Sequence, residues 1–67
     1  EFRRCALFIA TQDQASITML QRKFEIGFNK AGRFMDQMQQ LGIVGPANGA
    51  KPRQVLMGPD EVERILN

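Results

Sequence analysis

A mainly α-helical fold with a small β-hairpin is what this sequence predicts: a three-helix core, a two-stranded wing and a short C-terminal helix. Three observations carry that expectation. Apolar residues recur at helical spacing over residues 2–12, 17–24 and 28–41, whereas residues 43–57 alternate and are punctuated by Gly-Pro, Asn-Gly and Lys-Pro. Pro59 followed by Asp60 and Glu61 then opens one more helical run.

In the first helix Phe2, Cys5, Ala6, Ile9 and Ala10 fall at i, i+3, i+4, i+7 and i+8, with Leu7 and Phe8 widening the stripe. The segment "DQAS" breaks that period, and Ser16 is a good N-cap for "ITMLQRKF", which predicts a second helix over 17–24. Counted from Ile17, Leu20, Phe24, Ile26, Ala31 and Phe34 fall at positions 4, 8, 10, 15 and 18, the positions that lock the two helices of a helix-turn-helix. Gly27 supplies a cap or a permissive backbone where the next helix begins.

The third helix continues through "FNKAGRFMDQMQQL", with Ala31, Phe34, Met35, Met38 and Leu41 on its apolar face. Its methionines read as filler for an irregular small core, and Gly42 as the left-handed residue that ends it. Residues 43–57 read as strand, turn-rich tip and strand, in which Val55 and Met57 alternate against Gln54 and Leu56. A hairpin directly after a helix-turn-helix is the order of a winged helix. Val62, Ile65 and Leu66 give the last helix an apolar edge with which to pack on the core.

At 67 residues the chain is one domain, residues 1–67, and a domain this small buries only about 60% of its unfolded surface. With 43% hydrophobic residues and neither Trp nor Tyr, its core is built from Phe, Leu, Ile, Val and Met. The absence of histidine excludes His-containing zinc spacings and His-based catalytic pairs. The lone Cys5 falls on an apolar helical phase and reads as a buried thiol, which fits a reducing, cytoplasmic setting. No phosphate-binding glycine loop is present, and Asp60, Glu61 and Glu63 read as acids favoured by a helix N-terminus. The expectation is a binding module, with no cofactor and no enzymatic activity of its own. No apolar run approaches the roughly 20 residues that span a bilayer, so this domain is not expected in the membrane.

Net charge is only +2, but it is unevenly spread. Residues 16–57 carry Arg22, Lys23, Lys30, Arg33, Lys51 and Arg53 against Glu25 and Asp36, a local excess of four positive charges (six minus two), while residues 58–67 are net negative. In a third helix starting near Phe28, Asn29 and Arg33 stack one turn apart and Gln37 continues that side, opposite the core-facing Ala31, Phe34 and Met38. Such an edge suits a major groove: Arg pairs with guanine O6 and N7, Asn with adenine N6 and N7, and Lys reaches guanine or phosphate. Helix-turn-helix proteins place the N-terminal end of the second helix of the motif against base edges. Lys51 and Arg53 on the wing, with Arg22 and Lys23 late in the second helix, are candidates for phosphate contacts. A nucleic acid is therefore the expected partner, with double-stranded DNA suited to the helix edge; a plain solvated helix face is the alternative.

Residues 15–56 contain, in order, "LQRKF", "IGFNKAGR", "GIVGP" and "KPRQVL". This set resembles the C-terminal gamma domain of FtsK/SpoIIIE-type DNA translocases. The resemblance implies a winged helix at the end of a membrane-anchored, hexameric, ATP-driven motor on the cytoplasmic side of the bacterial inner membrane. It further implies recognition of short G-rich orienting sequences on duplex DNA, which guide the motor in chromosome partition at cell division or sporulation. In some members it implies contact with a Xer-type tyrosine recombinase; docking on that recombinase or on a motor partner is the alternative function. The family's recognition pattern falls on Asn29, Lys30 and Arg33, its wing basic residues on Lys51 and Arg53, and its second-helix basic residues on Arg22 and Lys23. The chain departs from the pattern at Glu25, where many members are basic, and at Lys30, where Arg is frequent; Lys lacks the planar bidentate fork of Arg.

Overall fold

The computed structural model describes residues 1–67 and contains four helices and one small sheet. The helices are α1 (Phe2–Ala10), α2 (Ile17–Phe24), α3 (Phe28–Gln40) and α4 (Pro59–Leu66); the strands are β1 (Gln14–Ala15) and β2 (Arg53–Gln54). This is a winged helix-turn-helix, mainly helical as predicted, with α2 packed on α3 and α4 on α1.

Each helix begins and ends where its residues require. Ser16, in extended backbone, accepts a hydrogen bond on its Oγ from the Met19 N–H at 3.1 Å and so caps α2. α3 closes in a Schellman motif. Gly42 sits at φ +82°, its N–H donates to the Gln39 carbonyl at 3.0 Å, and the Ile43 N–H donates to the Met38 carbonyl at 2.8 Å. Pro59 occupies the first turn of α4, with Asp60 and Glu61 beside it. α1 ends two residues before the expected boundary, and Thr11 and Gln12 form a turn bonded to the Phe8 and Ile9 carbonyls.

The core is the union of the predicted faces. Cys5, Ala6, Ile9 and Ala10 from α1, Leu20 from α2, Ala31, Met35 and Met38 from α3, and Ile43, Val44 and Val62 are buried, and Ala15 joins them from β1. Phe24, Ile26 and Phe34, three of the expected locking positions, are partly buried against this cluster. Two edge-to-face aromatic pairs tie the helices: Phe2 with Phe34 at 5.5 Å and Phe8 with Phe24 at 5.7 Å between ring centres. Pairs of this kind add about 0.5–1.5 kcal/mol beyond the area they bury. Burial pushes the Cys5 thiol above its ordinary pKa, and the neighbouring Glu1 charge acts in the same direction.

Three expectations need correction, and a fourth, for Gly27, is narrowed to one of its two alternatives. The regular ladder of the wing is not between residues 43–45 and 53–57. Arg53 and Gln54 pair antiparallel with Ala15 and Gln14, and the hairpin itself holds through the single bridges Val44–Val55 and Asn48–Lys51, with bonds from Gly45 N to Gln54 O and Leu56 N to Ile43 O. The break "DQAS" therefore contains a strand that two residues are too short to signal by periodicity. Leu41 is 42% exposed, because the helix closes at Gly42 before the position can turn inward. Ile65 is likewise exposed, so α4 packs through Val62 and Leu66, with Arg3 of α1 donating to Glu63 at 2.9 Å and to Asn67 Oδ1 at 2.8 Å. Gly27 does cap α3, but with φ −74° it needs no glycine freedom; the left-handed residue of the turn is Glu25, at φ +53°.

Candidate nucleic-acid interface

α3 is amphipathic in the way the candidate site requires. Ala31, Met35 and Met38 are buried, and the opposite side carries Asn29, Arg33, Asp36, Gln37 and Gln40 into solvent. None of Asn29, Arg33 or Gln37 makes a side-chain hydrogen bond or ion pair within the fold. Arg33, Asp36, Gln37 and Gln40 line one shallow hollow along this edge. The helix starts from Gly27 without a side-chain cap, its first internal bond running from the Ala31 N–H to the Gly27 carbonyl at 3.0 Å. The N–H groups of the first turn thus remain free at the positive end of the helix dipole, next to Asn29 and Lys30.

The other basic candidates are less free. Lys30 forms an ion pair with Glu1, both side chains about half exposed, and this hydrogen bond is the main reason the Glu1 carboxyl sits below its ordinary pKa. A pair so open to solvent contributes little stability and opens readily to a phosphate. Lys23 lies over the Phe8 ring at 5.3 Å and Arg4 over the Phe24 ring at 5.9 Å, so each ring of the α1–α2 aromatic pair carries a cation from the other helix. Arg22 is exposed beside Lys23 on a hollow that also includes Ser16, Thr18 and Met19.

Between the start of α2 and the wing lies a cleft of about 260 Å³. Ser16, Ile17 and Thr18 form one wall, and Lys51, Pro52 and Arg53 form the other. Because Ser16 and Thr18 line both this cleft and the Arg22–Lys23 hollow, the basic residues of α2 and of the wing border one continuous surface. Lys51 is exposed there. Arg53 is not: its side chain is 13% exposed and turned onto α3, donating to the Gln39 Oε1 at 3.1 Å and the Met35 carbonyl at 3.5 Å, with Asp36 Oδ1 3.6 Å away.

Sequence reasoning thus located the α3 edge but left out Asp36 and Thr18. Asp36 lies three residues beyond Arg33 on the same outward edge, a spacing readable in the sequence once the core phase is set. Thr18 enters through a cleft that exists only when the wing folds back beside α2. No helix is long and apolar enough to cross a membrane.

Comparison with known proteins agrees with this architecture. The model of the FtsK gamma domain matches residues 1–58. The chain is 53% identical over 58 residues to the DNA translocase FtsK of Corynebacterium glutamicum, covering 87% of this chain and 6% of that protein. It is 48% identical over 65 residues to DNA translocase FtsK of Mycobacterium tuberculosis and 44% over 66 residues to that of Chlorobaculum tepidum, in each case 97% of this chain and 8% of the relative. The matched segment is thus a small part of each relative's length, and in this chain the family match runs from α1 through the helix-turn-helix and the wing. On this match the chain belongs to the FtsK gamma domain family.

Proposed function

We propose that this domain binds duplex DNA sequence-specifically, with α3 in the major groove, and that it reads short G-rich orienting sequences to guide a DNA translocase in chromosome segregation. Asn29 and Arg33 read bases, Gln37 extends the reading edge, and Lys30 reaches a base or a phosphate. Lys51, Arg22 and Lys23 hold the phosphate backbone. The observation that carries this reading is the unpaired polar edge of α3: Asn29, Arg33 and Gln37 stand exposed with no partner in the fold, along an edge that starts at the uncapped N-terminal end of the helix. Such an edge offers Arg and Asn the bidentate geometry that discriminates bases.

With a net charge of only +2, one copy binds weakly. In the parent protein, a membrane-anchored hexamer, several tethered copies occupy neighbouring positions on one site and gain affinity through effective concentration. Phe28, 62% exposed on α3, favours a second reading, in which α3 and the wing dock on a protein such as a Xer-type recombinase.

Fluorescence anisotropy against a G-rich directional duplex and a scrambled duplex, across salt, separates the two. Sequence reading predicts preference for the first duplex, loss of about 1–3 kcal/mol of that preference in Arg33→Ala, and a steep log–log salt dependence. Equal binding of both duplexes, unaffected by Arg33→Ala, removes sequence recognition by α3; no binding of either favours protein docking.

A further inference from the structure

We infer that Arg53 acts on recognition indirectly, as a positioning residue: it holds the Asp36 carboxylate on the wing side of α3 and so leaves the Arg33 guanidinium free to reach outward. This deepens the DNA-reading proposal and rests on it. Arg33 and Asp36 are three residues apart on one helix, a spacing at which opposite charges pair. Both side chains are exposed and line the same hollow. Yet Arg33 has no ion pair, and the acid lies 3.6 Å from Arg53 instead.

Arg53 is well placed to win that competition. Its backbone is fixed in the sheet opposite Ala15, and its Nη1 already donates to Gln39 and to the Met35 carbonyl. The guanidinium is therefore ordered before it meets Asp36, and pairing costs little further side-chain entropy, whereas Arg33 is exposed and must give up its rotamer freedom. Asp36 is 71% exposed, so solvent rather than packing surrounds it on the side toward either cation. Removing Arg53 makes Arg33 the nearest alternative cation along α3. The predicted consequence is a guanidinium folded along the helix, which must leave Asp36 before it can read a base.

The test compares Arg53→Gln, Asp36→Asn and the double variant on the G-rich and scrambled duplexes, with arginine side-chain NMR of the free proteins. Arg53→Gln is expected to reduce the ratio of the two affinities by up to about twofold, the scale of the exposed ion pair that Arg33 must break before it reaches a base, with the salt slope unchanged. In the Asp36→Asn background the same Arg53 substitution is expected to leave the ratio where Asp36→Asn alone puts it. In the free Arg53→Gln protein the Arg33 Nε–H signal should shift and sharpen as the side chain becomes held by Asp36. A uniform loss on both duplexes with a salt slope shallower by about one would make Arg53 a phosphate contact and overturn the proposal. So would an unmoved Arg33 signal. If wild type fails to discriminate the duplexes while the Arg33 signal does respond to Arg53→Gln, the DNA-reading proposal falls and the side-chain coupling stands.

Discussion

At its C-terminal end α3 is closed by two backbone hydrogen bonds around Gly42 and buries Met38; at its N-terminal end it starts from Gly27 without a side-chain cap and leaves Phe28, Asn29 and Arg33 in solvent. One helix of 13 residues therefore has a satisfied end and an open end. The satisfied end belongs to the core: Met38 and Ile43 are both fully buried, and the bond between them brings the chain back toward the wing. The open end carries polar groups whose hydrogen-bonding capacity is unspent inside the fold. A helix end left open has hydrogen-bonding groups that the fold itself does not satisfy, at the expense of local stability.

The sharpest way to break the comparison is to weaken the closed end. Met38→Ala removes a fully buried side chain from a core of 12 residues and should cost about 2–5 kcal/mol, enough to unfold a large share of so small a domain. Urea denaturation followed by circular dichroism measures it, and a loss below about 1 kcal/mol would show that this end is not where the stability lies. Gly42→Ala should cost about 1–2 kcal/mol, because the left-handed backbone at φ +82° disfavours a Cβ. That Cβ would stand 3.4 Å from the Met57 Cε, a contact the flexible methionine can accommodate, so the penalty is conformational more than steric.

Substitutions before and at the open end should act in the other direction or scarcely at all. Glu25→Gly relieves the left-handed residue of the α2–α3 turn and, after the larger backbone entropy of the unfolded glycine is subtracted, should stabilise by about 0.5 kcal/mol. A rise in melting temperature is the expected readout, and a fall would mean that the Glu25 side chain contributes more than its strain costs. The smallest effect concerns Glu1 and Lys30. The folded carboxyl has a depressed pKa, so its stabilisation is present above the ordinary glutamate value of 4.5 and is lost as pH falls through the lower folded value. Glu1→Gln should flatten that part of the stability–pH curve and lower neutral-pH stability by the same small amount, leaving acid stability unchanged.

Much of this architecture was legible beforehand. Helix phase follows from a 3.6-residue period that any run of eight or more residues displays, and the caps at Ser16, Gly42 and Pro59 depend on local hydrogen bonding and backbone freedom alone. Those residues determined α1 to α4, the core stripes and the outward edge of Asn29, Arg33 and Gln37, all interactions within a few positions along the chain. What only the tertiary structure decided are contacts between distant segments. β1 becomes a strand because β2 lies beside it; Glu25 takes the left-handed conformation because α2 and α3 must meet at one angle; Arg53 turns inward because the sheet sets it against α3. Local chemistry along a chain specifies which groups are available, whereas the partner each group takes depends on which distant groups folding brings within hydrogen-bond reach.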